Sequence, residues 1–360
     1  MPLSEVQHQG FAQRMLQRVL TRERVPHAFL FHGPEGVGKE TLARGLAELL
    51  LCAKPIETDV AADLAGSVGL ERLRQGCGRC EDCRLVAAET HPDFHRVYRQ
   101  LHREHPDPAV RKRSGMELTV DVVRHFIIDR VALTSNRGRA KVFVVRGADE
   151  MNVQAQNALL KTLEEPPGAT FLILLAASVE HLLATTLSRC QVVRFDALPN
   201  AFVHAKLAEL CPGLSPEVLH WYVAWGEGSL GRAMEGVEFD LFRHHGPLRD
   251  GLATPGRWDP AELVRLWTES AQELGERYAK ADSEITDAEA TRRGLTTMFR
   301  LTANEYAEVL RTTTVSPSQS EACADAIQRI ALAIAQLDLN VNTQLCLETL
   351  ASDLARRVVV

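Results

Sequence analysis

The stretch that most constrains this chain is seven residues long. Gly33-Pro34-Glu35-Gly36-Val37-Gly38-Lys39 follows the apolar run Ala28–His32 and precedes a segment with helical spacing, Thr41–Cys52. A glycine-rich turn between a buried strand and a helix lets successive backbone N–H groups point into one concavity. The helix N-terminus favours negative charge there, and Lys39 would reach the outer phosphates of a nucleotide. The alternative is a plain glycine turn with a surface lysine, and the GxxxxGK spacing in this context argues against it. Gly33, Gly36, Gly38, Lys39 and Thr41 are the expected phosphate-contacting residues.

Three further apolar runs read as buried strands: Lys141–Val145, Thr170–Ala177 and Gln191–Phe195. Between the first two, Val153–Leu163 has helical spacing and stops at Glu164-Glu165-Pro166-Pro167-Gly168. Buried strands interleaved with helices imply an α/β fold with a parallel sheet covered on both faces. Beyond about Asp196 strand-like runs disappear and helical periodicity dominates. The expected division is a phosphate-loop core over 1–197, a small all-α module over 198–243 and a larger all-α module over 244–360. The polar, His- and Arg-rich stretch His91–Ser114 is expected to be a loop. Gly226–Arg232 reads as a glycine-rich connection into a helix.

The phosphate loop departs from the pattern of a hydrolysing site. The residue after Lys39, where a hydroxyl normally binds magnesium, is Glu40, and Thr41 lies one place later. A carboxylate facing phosphates at ~4 Å, with an effective dielectric of ~20, would cost roughly 4 kcal/mol. Glu40 either bears that cost or swings away to favour the helix dipole. The second element of such a site is an apolar strand ending directly in acidic residues. Here Arg146-Gly147 follow the strand, and Asp149 and Glu150 are expected to open the next helix, the alternative being a register that brings Asp149 to the magnesium. Two separate defects weaken the expected binding of ATP or ADP and leave open whether either is held.

Cys77-Gly-Arg-Cys80-Glu-Asp-Cys83 places three thiols at C-x2-C-x2-C spacing, and Cys52 is the natural fourth ligand. Four thiolates leave no open position, so the expected ion is structural zinc, with an iron–sulfur cluster as the alternative and His91 or His95 as substitutes for Cys52. Such a site contributes roughly 10–16 kcal/mol of binding free energy, enough to fold an insertion over about 52–83. Cys211, Cys323 and Cys346 sit singly in helical patterns and read as core.

Net charge of −6 argues against a surface built for autonomous nucleic-acid binding. Arg96, Arg99, Arg103, Arg111, Lys112 and Arg113 could touch DNA phosphate locally, although such a segment is more often solvated. There is no run of eighteen apolar residues, and the N-terminus has no basic segment leading into an apolar stretch. A cytoplasmic location is expected, where thiols and metal ligands outnumber disulfides.

These features together resemble the bacterial clamp-loader AAA+ family. Val25-Pro26-His27-Ala28-Phe29-Leu30-Phe31, the phosphate loop, the cysteine set and His91-Pro92-Asp93 occur in that family's order. Asn157–Pro167 is close to its fingerprint, Ser188-Arg189-Cys190 resembles its SRC motif, and Leu339-Asn340-Val341-Asn342 resembles the start of its collar. The resemblance implies a AAA+ core with a zinc-module insertion, then a helical lid and a helical collar that oligomerises. It further implies that Arg189 acts in trans on a neighbouring subunit's nucleotide. Within the family the damaged site resembles delta-prime subunits of DNA polymerase III rather than the motor subunits gamma and tau. The implied partners are gamma/tau and delta in a five-membered ring that places the sliding clamp on primed DNA. The rival expectations are an active gamma/tau-like ATPase and a zinc-stabilised DNA-binding AAA+ protein acting alone.

Overall fold

The apolar runs pair side by side in one parallel sheet. A computed structural model describes residues 3, 6–21, 25–59, 72–112, 117–252, 259–282, 285–311, 316–338 and 342–357. Strands β1 (Ala28–His32), β4 (Phe94–Val97), β5 (Lys141–Arg146), β6 (Thr170–Ala176) and β7 (Gln191–Arg194) lie in the order β4-β5-β6-β1-β7. All their pairings are parallel. The remaining strands, β2 (Ile56–Asp59) and β3 (Arg72–Gln75), form a separate antiparallel pair. This strand order, with helices in the connections and a helical C-terminal region, is that of a AAA+ core. The chain divides into two compact units, residues 1–206 with 227–232, and residues 207–226 with 233–360.

Leu30, Phe143, Val145, Leu172 and Leu174 pack on one face of the sheet against Leu159, Leu163, Val122, Phe126 and Ile127. Their near-continuous apolar sequence follows from burial on both faces. β4 was not legible in the sequence, and the expected loop over His91–Ser114 is corrected. It holds β4, a 3-10 turn at Arg99–Glu104 and a short helix at Pro108–Arg111. An edge strand needs few apolar anchors. Phe94 and Val97 supply them, while His95 stacks on Phe143 with ring centroids 4.6 Å apart. Arg113 and Ser114 lie outside the described residues, as do Leu339, Asn340 and Val341 of the collar-like motif.

An uncharged seam fastens the first helix, Gly10–Leu20. Gln9, Gln13 and Gln17, spaced four apart on one helical face, are all buried. Gln17 donates to Arg74 O (3.0 Å) and accepts from Arg74 N (2.9 Å). Gln9 pairs likewise with Asp196, donating at 2.8 Å and accepting at 3.2 Å, and Gln13 donates to Leu3 O and Val6 O.

The second unit is helical, with Pro260–Ala281 and Asp287–Arg311 as its longest neighbours. Gly294 permits their close approach, since a Cβ there would stand 2.2 Å from Ala271 O. Trp267 is fully buried and donates from Nε1 to Thr302 Oγ1 at 2.9 Å. Cys323 and Cys346 are core residues. Among the described residues no helix is long and apolar enough to cross a membrane.

Replacing Gln17 by Leu keeps the bulk but leaves the Arg74 peptide without partners. The expected cost is about 1–3 kcal/mol of unfolding free energy, read from urea denaturation.

Candidate functional site

The phosphate loop joins β1 to the helix Lys39–Leu51, with Gly38 as its N-cap. Gly36 holds φ +67°, and a Cβ there would meet Ser229 Oγ at 2.4 Å and Gly231 Cα at 2.7 Å. Only glycine fits, because residues 227–232 lie directly on the loop and Gly231 N donates to Gly36 O at 3.1 Å. Gly33 opens the turn, and Thr41, the third helical residue, is half-buried. Lys39 is buried, and its Nζ donates to the carbonyl oxygens of Gly33 and of Pro34, the latter at 2.7 Å. Burial lowers its pKa, against the pull of Glu35 and Asp149. The lysine is thus folded onto its own loop.

Glu40 does not face the concavity unpartnered. Its Oε1 lies 3.5 Å from Arg96 Nη2 and its Oε2 3.3 Å from Arg146 Nε. Arg96 also pairs with Glu89, which pairs with Arg44 at 3.2 Å. An alternating ion chain Arg44–Glu89–Arg96–Glu40–Arg146 therefore runs beside the loop. Arg146 ends β5, where a hydrolysing site would carry a carboxylate. A guanidinium is only a donor and cannot ligate magnesium, which demands oxygen.

Asp149 lies in the 3-10 turn Ala148–Glu150 and does not open the next helix, contrary to expectation; Asn152 caps that helix, Val153–Glu164. Asp149 Oδ2 accepts from Ala177 N (2.9 Å) and Ser178 N (3.0 Å), tying the end of β6 to the turn. Glu150 pairs with Arg99 at 3.5 Å. Arg96 and Arg99, read as DNA-contact candidates, thus have carboxylate partners within the chain.

Cys52, Cys77, Cys80 and Cys83 converge, with all four Sγ atoms within 4.8 Å of one another. Cys52–Cys80 and Cys77–Cys83 are each separated by 3.9 Å. A tetrahedral ion with bonds of about 2.3 Å to sulfur would set sulfur–sulfur edges near ~3.8 Å, so the donor set fits. Backbone N–H groups of Cys77, Cys80 and Cys83 donate to the preceding sulfurs, at 3.3, 3.3 and 3.4 Å. The N–H groups of Arg79 and Cys80 draw the Cys77 thiol down to about 6, whereas burial pushes Cys52 and Cys83 up. His91 and His95 are not in the cluster: His91 accepts from Asp93 N at 3.0 Å and faces Asp82 at 3.5 Å.

The module is bound to the core by groups whose role was not legible in the sequence. Arg139 donates to Cys52 O at 2.9 Å, and Arg137 meets Glu81 and Asp82, each at 2.6 Å. The buried Asp93 carboxylate accepts from the backbone N–H groups of Asn136 (2.7 Å) and Arg137 (2.9 Å). Burial works to raise its pKa, but these hydrogen bonds prevail and lower it.

Arg189 follows the short helix Ala184–Leu187 and precedes β7. Gln191 is the register partner of Phe29, and Arg194 that of His32. Arg189 therefore stands at the end of the sheet where β1 begins, whereas the phosphate loop follows β1's other end. At ~3.3 Å per residue they are separated by roughly 15–20 Å along the strands, beyond the reach of one side chain. The guanidinium is paired with Glu164.

A AAA+ core carrying a four-thiol module is the class of protein that this fold and site define. The chain belongs to the family of DNA polymerase III delta-prime clamp-loader subunits, for the model described as "DNA polymerase III, delta subunit" matches residues 8–199. It is 38% identical over 204 residues to the DNA polymerase III subunit delta' of Pseudomonas aeruginosa, covering 56% of this chain and 53% of that one. The Escherichia coli delta' subunit is 32% identical over 227 residues, covering 63% and 59%. The Escherichia coli tau subunit is 31% identical over 219 residues, covering 60% and 29%. The chain spans about half the length of the delta' relatives it matches.

Asp149→Ala should unfasten the end of β6. Losing charge-assisted bonds to two N–H groups lowers stability by about 1–3 kcal/mol, measurable by chemical denaturation.

Proposed function

We propose that this chain is the non-hydrolysing, delta-prime-like member of a DNA polymerase III clamp loader, and that it lends Arg189 to the nucleotide site of a neighbouring motor subunit. The observation that carries the reading is the pairing of Glu40 with Arg146. A carboxylate and a guanidinium stand where hydrolysis needs a hydroxyl–magnesium–carboxylate arrangement, so these two positions supply neither the usual metal ligand nor the usual water-activating group. Gly33, Gly36, Gly38, Lys39 and Thr41 persist as a structural corner that holds ATP or ADP weakly at most. The position of Arg189, at the far end of the sheet from its own phosphate loop, supports action in trans. A guanidinium with planar donors stabilises the charge that develops on a γ-phosphate without hydrolysing anything itself.

The same reading places the chain in a cytoplasmic five-membered ring with gamma/tau and delta. That ring opens the sliding clamp and sets it on primer–template DNA, using ATP bound by the motor subunits. The core over 1–197, the lid over 198–243 and the collar over 244–360 belong to this proposal.

In the test, the purified chain hydrolyses no ATP with magnesium. When it is reconstituted with gamma/tau and delta, Arg189→Ala slows turnover at the site it faces by on the order of 10³-fold, while size-exclusion chromatography shows the ring intact. Unchanged ATPase in that mutant ring would remove the trans role. Magnesium-dependent hydrolysis by the isolated chain, abolished by Lys39→Ala, would replace the reading with an active gamma/tau-like ATPase. Salt-sensitive DNA binding by the chain alone would favour the stand-alone DNA-binding protein.

Zinc is the ion that Cys52, Cys77, Cys80 and Cys83 suit, and its role is to hold the insertion folded. Metal analysis should give stoichiometric zinc that is lost in Cys80→Ser. Stripping it with a strong chelator should lower the melting temperature by roughly 5 °C or more.

A further inference from the structure

Every nitrogen of the Arg189 guanidinium is engaged within the chain. Nε donates to Glu164 Oε1 at 2.6 Å, and Nη2 donates to the same oxygen. Nη1 donates to Thr185 O at 2.8 Å and to Ser188 Oγ at 3.3 Å. That engages four of the five N–H bonds an arginine possesses and leaves one on Nη2. Planar, two-pronged recognition of a phosphate needs two N–H bonds aimed the same way. The free one does not suffice, so a bond must be surrendered. The charged partner, Glu164, is the one a phosphate would compete with directly.

Glu164 is not a casual neighbour. It is the last residue of the helix Val153–Glu164, which Pro166 and Pro167 prevent from continuing. Arg189 is placed as firmly, between the helix Ala184–Leu187 and the edge strand β7. Both side chains are partly solvated, Arg189 at 31% and Glu164 at 47% exposure, so their pairing is loose enough to be exchanged.

We infer that Glu164 is a latch on Arg189: it parks the guanidinium in one pose in the unengaged chain and yields it when a neighbouring subunit's nucleotide presents phosphate oxygens. No covalent step is involved; one set of charge-assisted hydrogen bonds exchanges for another. The inference rests on the trans role proposed for Arg189 and adds Glu164 as the positioning residue that sets its availability.

The test uses the ring reconstituted with gamma/tau and delta, with ATP as the probe. Glu164→Gln preserves shape and removes the charge. It raises kcat/KM for ATP by about two- to five-fold, the range that an exposed ion pair commands. The gain disappears in the Glu164→Gln/Arg189→Ala double mutant, because a latch has nothing to release once the arginine is gone; a merely structural Glu164 would shift rates equally in both backgrounds. If Glu164→Gln leaves kcat/KM unchanged or lowers it while Arg189→Ala still impairs turnover, the latch is overturned and the trans arginine stands. If Arg189→Ala has no effect, the underlying reading fails and the latch falls with it. Thermal melts of each variant chain separate these outcomes from misfolding.

Discussion

A carboxylate held between two guanidinium groups sets the charge balance beside the phosphate loop. Placed at the mouth of a phosphate loop, Glu40 would repel any nucleotide that entered and would suffer the same repulsion itself. Arg96 and Arg146 give it partners on both oxygens. The loop then has no need of a ligand to satisfy its charges. Lys39 turns onto neighbouring carbonyls, and residues 227–232 settle on Gly36. The phosphate loop is thereby held by contacts from within the chain between β1 and its helix.

The same economy of charge distinguishes two sets of arginines. Arg44, Arg96 and Arg146 form an internal chain with Glu40 and Glu89. Arg137 and Arg139 tie the thiol module to the core through Glu81, Asp82 and Cys52. Arg189 lies apart from both, at the opposite end of the parallel strands from the phosphate loop. Its carboxylate partner, Glu164, is half exposed.

Much of this could be read from the residues. The runs AFLFH, KVFVV and TFLILLAA announce themselves because strands buried on both faces have few polar positions to spend, and the edge strand in QVVRF is marked by its paired valines. The thiol cluster follows from its spacing, and Cys52 joins it because the helix ending at Leu51 delivers it there. β4 was hidden because an edge strand tolerates His95 and Arg96 at positions where a central strand would not. Its two anchors, Phe94 and Val97, form no run. The sequence shows that Glu40 and Arg146 are anomalous, but not that they are partners. Charge complementarity between a helix's first turn and a strand end about a hundred residues apart has no local signature. The same holds for Glu164 and Arg189, although each lies in a conspicuous motif.

The glutamines of the first helix suggest a different kind of robustness. Gln9 and Gln17 each meet the N–H and C=O of one residue with both halves of the amide, much as an adjacent strand would, and Gln13 holds two carbonyls upstream. A primary amide neither titrates nor attracts counterions. Acidification or brine that loosened the ion chain around Glu40 would leave this seam fastened. By filling the backbone valences of Arg74 on β3, the Gln17 amide also denies that edge position to any foreign strand, using a neutral side chain for the purpose.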